Sequence, residues 1–215
     1  MISDTDIMFQ HPFCMTVAGP SQSGKTHFVS SVIRFINNLV HPVPSRIIYC
    51  YSIWQDSFKN LMLENKNVEF KNGIYDEDVI ENCVIILDDL MTDCIDNKEI
   101  VRLFTFGSHH RNASVIFLTQ NIFEKGKYAR AISLNSHYLV LFNNRRDLSQ
   151  VMHLGRQLYP GETGFFTEVF NDAISSQPYG YLIIDLMPKT DDSIRLRSYN
   201  FDKNDIFVFK KNLFQ

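Results

Sequence analysis

The chain of 215 residues lacks any apolar run long enough to cross a bilayer. Its longest candidates, such as "CVIIL" and "YLVLF", are the size of a strand, whereas a membrane helix needs roughly 20 apolar residues. The amino terminus, "MISDTDIMF", carries acidic residues early and has no basic segment followed by an apolar one, so it does not match a secretion signal. We therefore expect a soluble, intracellular protein without a membrane partner.

Cysteine is scarce, and its spacing is uninformative for metal binding. None of the cysteines forms a C-x-x-C pair or a metal-ligand spacing, and the pair His109-His110 has no Cys, Asp or His at such a spacing either. Neither a disulfide framework nor a zinc site is expected. Three of the four lie in or beside apolar runs, which predicts buried thiols. The cysteines are Cys14, Cys50, Cys83 and Cys94.

Excess positive charge is also absent, since the formal net charge is -3. This value is not typical of a protein that coats nucleic acid. It does not exclude work on DNA, because an oligomeric motor needs only a basic strip along its channel. No internal repeat, low-complexity tract or long linker interrupts the chain, so we predict a single domain over 1–215, with a core at about 13–200.

Strand-like apolar runs alternate with helical patterns along the chain. Residues Phe28, Val29, Val32, Ile33 and Ile36, for example, recur at helical spacing. This alternation predicts an α/β fold with a mostly parallel central sheet and helices on both faces. "YGYLIIDL" and "SIRLRSYNF" have no helix between them, so we expect them to pair antiparallel as extra C-terminal edge strands. The main runs are "CMTVA", "RIIYCY", "CVIILDDL", "ASVIFLTQN" and "SHYLVLF".

One motif carries a specific chemistry. "GPSQSGKT" satisfies the phosphate-loop pattern G-x-x-x-x-G-K-[ST] and lies between an apolar strand and an amphipathic helix. Backbone N–H groups of such a loop surround phosphates, Lys25 supplies charge to the β- and γ-phosphates, and Thr26 places a hydroxyl on Mg²⁺. We assign nucleotide binding, with ATP and Mg²⁺ as cofactors, to Gly19, Pro20, Ser21, Gln22, Ser23, Gly24, Lys25, Thr26 and His27.

Gln22 occupies a position where many such loops carry another glycine. If its φ is positive, glutamine costs about 1–2 kcal/mol there relative to a residue without Cβ. Bound nucleotide could offset that cost, so Gln22 does not argue against the motif.

Polar residues end two of the apolar runs. "VIILDDL" places Asp88 and Asp89 where a phosphate-loop protein holds its metal-binding aspartate. We expect Asp88 to reach Mg²⁺ through water and Asp89 to orient or deprotonate the attacking water. Gln120 ends "SVIFLTQ". In one large division of phosphate-loop ATPases, a polar residue at the end of the strand between the loop strand and the acidic strand senses the γ-phosphate or water.

Several further blocks follow the loop in order: "YCYSIWQ", "FGSHHRNASVIFLTQNIF", "LNSHYLVLFNNRRDLSQ" and "PYGYLIIDL". Together with the loop, they make the chain resemble the DNA-packaging ATPases of the HerA/FtsK superfamily. The nearest type looks like the packaging ATPase of Polinton/Maverick elements and their virus relatives, with poxvirus-type ATPases more distant. The resemblance covers roughly residues 13–200. It implies a RecA/ASCE-like phosphate-loop fold and ATP-driven movement of double-stranded DNA into a capsid.

The resemblance also implies a homo-oligomeric ring with ATP sites at subunit interfaces, where an arginine from the neighbour completes the site. The candidates are Arg111, Arg145 and Arg146, and Arg146 is favoured because it follows a strand end and precedes a helix. Capsid or portal proteins would be further partners. Many members carry Asp-Glu where this chain has Asp88-Asp89, which leaves the identity of the catalytic base open.

DNA contacts are assigned to the segment 124–130, "EKGKYAR", which combines three basic residues with a tyrosine. A basic loop with an aromatic side chain could contact phosphates in a central channel. An ordinary solvated loop is the alternative.

Three other functions compete with the motor. A small-molecule P-loop kinase would need an acceptor pocket and an arginine-bearing lid, for which 124–130 is the only candidate. A GTP switch would need an N-K-x-D motif, which "NNRRD" does not match. A non-enzymatic protein with a degenerate site conflicts with the intact Lys25, Thr26 and Asp88.

Overall fold

The computed structural model describes residues 3–75, 80–90, 98–107, 111–123, 129–146 and 148–211. Cys94, His109-His110 and residues 124–128 of the basic segment lie outside this part of the chain. Their predicted roles therefore stay predictions.

Eleven strands occur in the described residues. Nine of them form one sheet in the order β11-β10-β9-β8-β2-β7-β6-β4-β5, and β1 pairs with β3 in a separate two-stranded sheet. The strands are β1 (Phe9–Gln10), β2 (Cys14–Ala18), β3 (Val40–His41), β4 (Arg46–Tyr51), β5 (Val68–Asn72), β6 (Cys83–Asp88), β7 (Ala113–Thr119), β8 (Tyr138–Phe142), β9 (Tyr181–Asp185), β10 (Leu196–Asn200) and β11 (Asp205–Val208).

The central strands of the large sheet are parallel. All neighbours from β8 through β2, β7, β6 and β4 to β5 pair in parallel. The pairs β8–β9, β9–β10 and β10–β11 are antiparallel. Because parallel strands end at the same edge of a sheet, the carboxyl ends of β2, β6, β7 and β8 lie together.

The described helices cover both faces of this sheet. None of them is long and apolar enough to cross a membrane. The helices are α1 (Lys25–Arg34), α2 (Ile36–Leu39), α3 (Ser57–Glu64), α4 (Lys98–Arg102), α5 (Ala129–Leu134), α6 (Leu148–Leu158) and α7 (Thr163–Ser175), and a π-helical turn, Leu103–Gly107, continues α4.

Alternating side chains of the buried strands build two core layers. On β6, Val84 and Ile86 pack in the cluster that contains Phe28 of α1. The residues between and after them, Ile85 and Leu87, pack in the opposite cluster with helices α4 and α5. A third cluster packs α6 and α7 against β8 and β9. Since both faces are covered, the central strands are mostly apolar on both faces rather than alternating with polar residues.

The predicted α/β fold with a mostly parallel sheet and helices on both faces is confirmed, and several details differ. Helix α5, which contains Arg130 of the predicted basic loop, was not predicted, and neither were the short strands β1 and β3. Helix α1 ends at Arg34, and Ile36 belongs to the separate turn α2. Helix α7 was not predicted, although Phe166, Val169, Phe170 and Ala173 recur at helical spacing. Strand β11 was also not predicted, because most of its residues are exposed and only its pairing with β10 makes it a strand.

The antiparallel part of the sheet contains a buried ion pair. Arg197 Nη2 lies 3.0 Å from Asp185 Oδ2, with side chains 0% and 2% exposed. Arg197 Nη1 also donates to Ile194 O, while Asp185 Oδ1 accepts from Met187 N and Thr190 Oγ1. Removing one partner of a buried pair leaves a charge without compensation in a medium of low dielectric constant.

We expect Arg197→Met to lower the free energy of unfolding by about 3–5 kcal/mol, because Asp185 would remain buried without its counter-charge. The matched control is Arg34→Met, which removes the arginine of the half-exposed Arg34–Glu64 pair and should cost about 0–1 kcal/mol. Chemical denaturation of both variants measures the difference. If both variants lost the same free energy of unfolding, the buried pair would contribute no more to stability than the half-exposed pair.

Candidate nucleotide-binding site

The phosphate loop connects β2 to α1 at the carboxyl edge of the sheet. Gly19 N donates to Thr119 O at 3.2 Å, which joins the start of the loop to β7. Gln22 has φ = 63° and Gly24 has φ = 106°, so the loop contains two left-handed residues. Gln22 therefore has a positive φ, and this backbone conformation costs about 1–2 kcal/mol relative to a residue without Cβ.

Glycine is required at position 24 for two reasons. Its φ lies in the region that side chains disfavour. A Cβ atom there would also lie 2.8 Å from Tyr179 Cβ. The turn into α1 therefore depends on a residue without a side chain.

Lys25 lies across the mouth of the loop. Its Nζ donates to Gly19 O at 2.6 Å and to Pro20 O at 2.9 Å. Burial lowers the pKa of Lys25, and the nearby carboxylates of Asp88 and Asp89 oppose that shift. The ammonium group is thus partly desolvated, and the two carboxylates favour its charged form, so Lys25 can offer a positive charge to a phosphate.

Ser23 gives an independent indication of a ligand. Its Oγ is buried in the loop and has no hydrogen-bond partner among the described residues. Buried polar atoms in folded proteins are nearly always paired. A ligand rich in acceptor oxygens would satisfy this hydroxyl and Lys25 together, so the residues present fit the phosphates of a nucleotide.

Asp88 ends β6 beside the loop, and its side chain is only 6% exposed. Its Oδ2 accepts from Tyr49 Oη at 2.6 Å and from Thr26 Oγ1 at 3.4 Å. Burial raises the pKa of Asp88, and the hydrogen bonds from Tyr49 and Thr26 oppose that effect in part. The negative charge of an ionised Asp88 is therefore only partly compensated, and a bound cation would compensate it further.

Thr26 and Asp88 offer the hard oxygen ligands that Mg²⁺ prefers. Within the described ranges, no group of three or more His, Cys, Asp or Glu side chains could hold a metal ion by itself. That arrangement fits Mg²⁺ in nucleotide sites, which takes one or two protein ligands together with phosphate oxygens and water.

Asp89 points away from Asp88. It has φ = 56° and an exposed side chain, and its Oδ2 accepts from Ser52 Oγ at 3.3 Å. The left-handed backbone separates the two adjacent carboxylates into a buried one and a solvated one. Their mutual repulsion is thereby reduced, because water screens the exposed charge.

Gln120 directly follows β7, which lies between β2 and β6 in the sheet. Its side chain is exposed at the carboxyl edge and lines a narrow cavity together with Gly19. Gln150 of α6 supports the following segment, since its Oε1 accepts from Ile122 N at 3.1 Å and from Phe123 N at 3.4 Å. The structure therefore brings Gln120 to the start of the loop, and its role in sensing the γ-phosphate or water stays a prediction.

The candidate arginines lie at opposite edges of the sheet. Arg145 and Arg146 are exposed in the turn after β8, at the edge that carries the loop. Arg111 precedes β7, whose seven residues span roughly 20 Å at about 3.3 Å per residue. The structure does not bring Arg111 to the loop of its own chain, and a role across a subunit interface stays a prediction for all three arginines.

Tyr49 is a site residue that sequence reasoning missed. It lies within the apolar run of β4, and its phenol points to the face on which Asp88 is buried. Burial raises the pKa of Tyr49 well above its usual value, so it stays a proton donor to the carboxylate. The available signal was a hydroxyl at the buried centre of the strand, where its neighbours are Ile48 and Cys50.

Comparison with known proteins identifies the fold. No protein-family model and no curated protein matches the chain. The genome packaging NTPase B204 of Sulfolobus turreted icosahedral virus 2 in complex with AMPPCP is similar, with a TM-score of 0.54 and 12% identity over 93% of this chain and 97% of that one. For B204 in complex with sulfate the TM-score is 0.53, with 13% identity over 94% and 98%.

A further crystal structure, of the DNA-packaging ATPase B204 from Sulfolobus Turreted Icosahedral Virus, has a TM-score of 0.52 and 13% identity over 93% of this chain and 98% of that one. At such identities the likeness shows the fold alone. This chain therefore has the α/β fold of a P-loop NTPase, with a large, mostly parallel sheet.

We expect Asp88→Asn to stabilise the protein without nucleotide at neutral pH. The pKa of Asp88 is raised above the ordinary value of 3.8. The free energy of unfolding of the unaltered protein therefore falls as pH rises through the pKa of Asp88 in the folded state. The variant should therefore gain most at neutral pH, and the gain should vanish well below pH 3.8, where Asp88 is protonated in both states. Thermal unfolding across this pH range measures it.

The matched control is Asp89→Asn, because the side chain of Asp89 is exposed to water. A stabilisation by Asp88→Asn that does not change with pH, or one equalled by Asp89→Asn, would contradict this account of the buried carboxylate.

Proposed function

We propose that this chain is the subunit of an ATP-hydrolysing motor that moves double-stranded DNA and packages a viral or virus-like genome. The observation that carries the proposal is the hydrogen-bonded group of Thr26, Asp88 and Tyr49 at the mouth of the phosphate loop. It supports the proposal because a carboxylate suited to Mg²⁺ lies beside a lysine and a hydroxyl that suit a nucleoside triphosphate.

Each residue has a distinct part in this proposal. The backbone of residues 19–24 and the start of α1 bind the phosphates, and Lys25 neutralises their charge. Thr26 and Asp88 hold Mg²⁺, which when bound stabilises charge on the transferred phosphoryl group. Asp89, exposed beside the buried Asp88, orients or deprotonates the attacking water. Gln120 senses the γ-phosphate or that water.

Strand order favours hydrolysis over the alternative of a small-molecule kinase. Strand β7, with Gln120 at its end, lies between the loop strand β2 and the acidic strand β6. This order is typical of the RecA/ASCE division, in which the interposed strand carries a sensing residue. It supports an ATPase that couples nucleotide state to movement.

Genome packaging is supported by two independent similarities. The fold resembles that of B204, which is described as a DNA-packaging ATPase. The blocks "SHHRNASVIFLTQN" and "NNRRDLSQ" resemble the HerA/FtsK packaging ATPases, with Polinton/Maverick ATPases as the nearest type. We propose a homo-oligomeric ring that acts with capsid or portal proteins in the infected cell, in the cytoplasm or the nucleus, or in the virion.

We expect the protein to release phosphate from ATP and long double-stranded DNA to stimulate that release, at concentrations that permit assembly. A motor couples hydrolysis to its track, whereas a kinase transfers phosphate to a small acceptor. Phosphate release with and without DNA is the measurement. Lys25→Ala is the control, and it should lose essentially all turnover while circular dichroism shows an intact fold.

Transfer of phosphate to a nucleoside or nucleotide, without any dependence on DNA, would rule out the motor. Near-normal hydrolysis by Lys25→Ala would remove Lys25 from the mechanism.

We expect Arg146→Ala to lower turnover by about 10³-fold or more, the effect typical of an arginine that stabilises transition-state charge from a neighbour. Mixing Arg146→Ala subunits with Lys25→Ala subunits should restore activity. In random equimolar rings, about a quarter of the interfaces would combine an intact loop with an intact arginine. Steady-state hydrolysis of the mixture measures the recovery.

Mixing Arg111→Ala subunits with Lys25→Ala subunits tests Arg111 in the same way. No recovery, in rings shown to be mixed, would rule out Arg146 as a group acting across the interface.

A further inference from the structure

Tyr179 is an exposed aromatic residue beside the phosphate loop. Its side chain is 62% exposed, and its Cβ lies close to Gly24. The ring faces the imidazole of His27, with centroids 6.5 Å apart and an angle of 30° between the planes. His27 directly follows the loop motif and is also exposed. Two flat rings are thus presented to solvent next to the phosphate-binding residues.

The segment that presents Tyr179 is held by packing and hydrogen bonds. A Cβ atom at Gly180 would lie 2.5 Å from Ile174 O, so the chain lies directly against the end of α7. Gln177 Nε2 donates to Tyr199 O at 2.9 Å, and Gly180 N donates to Gln177 O at 3.0 Å. The tyrosine is therefore displayed from a fixed turn, and its φ of 55° is a conformation that glycine or asparagine would adopt at lower cost.

The sheet order places this ring pair at one particular end of the site. Asp88 belongs to β6, on the side of β2 that also carries β7. Tyr179 lies two residues before β9, which lies on the other side of β2, beyond β8. A nucleoside triphosphate with its metal-binding phosphates towards Asp88 would extend its base away from Asp88. Tyr179, with His27 facing it, lies on that other side of β2.

We propose that the rings of Tyr179 and His27 form the stacking site for the base of the nucleoside triphosphate. This inference rests on the proposed nucleotide-binding function and deepens it. Stacking recognises the face of an aromatic ring, and every base has such a face. The site accordingly distinguishes a nucleotide from bare polyphosphate rather than one base from another.

The test compares two magnesium-containing probes by isothermal titration calorimetry: the non-hydrolysable ATP analogue AMPPNP, and inorganic tripolyphosphate, which has no base. Tyr179→Ala should weaken AMPPNP binding roughly tenfold or more, the size of one base–aromatic stack. It should leave tripolyphosphate binding unchanged. Tyr179→Phe should keep the affinity of the unaltered protein, because the ring is retained.

Two further variants separate the ring from the backbone. Tyr179→Gly removes the ring and relieves the left-handed φ, so it should lose AMPPNP affinity as Tyr179→Ala does. Phe207→Ala removes an exposed aromatic ring from the edge strand β11 and should change neither probe.

The outcomes distinguish this inference from the function on which it rests. If the unaltered protein binds neither probe, both the nucleotide-binding proposal and the stacking site are wrong. If it binds AMPPNP and Tyr179→Ala binds it equally well, only the stacking site is wrong. Equal loss of both probes in Tyr179→Ala would show that the residue supports the loop, and would also overturn the stacking role.

Discussion

The buried carboxylate of Asp88 is the constraint around which the candidate site is arranged. A carboxylate at the end of an apolar strand loses hydration, and that loss raises its pKa. Tyr49 and Thr26 donate hydrogen bonds to it, but they offset the loss only in part. Lys25 is close enough for its charge to act on the same group. The negative charge of Asp88 is therefore not fully compensated within the site, and a divalent cation would compensate it.

The parallel order of the central strands makes this arrangement possible. Strands β2, β7 and β6 end at one edge, so the loop, Gln120 and Asp88 lie together although they are far apart in the chain. The hydrogen bond between Gly19 N and Thr119 O couples the loop directly to β7. A displacement of either strand end would therefore be transmitted to the other.

The antiparallel strands contribute to the same site from the other side. Strands β9, β10 and β11 extend the sheet beyond β8, and the Arg197–Asp185 pair ties β10 to β9 in their interior. This extension of the sheet holds the turn before β9 that carries Tyr179, partly through the hydrogen bond from Gln177 to Tyr199 O. The loop is consequently bordered by an acidic side, where Asp88 lies, and an aromatic side, where Tyr179 faces His27.

The sequence by itself determined the features that depend on neighbouring residues: the phosphate loop, the apolar strands, the acidic end of β6 and the mostly parallel sheet. Periodicity and motif spacing are local, so they can be read from the chain. The apolar residues of helix α7 recur at helical spacing, so this helix could have been predicted. The sequence of β11 shows no such pattern. Only the tertiary structure decided that Tyr49 donates to Asp88, that Tyr179 meets His27, and that Arg111 lies at the edge away from the loop. These relations join residues distant in the chain, and strand order and register set them through burial and packing that no single segment encodes.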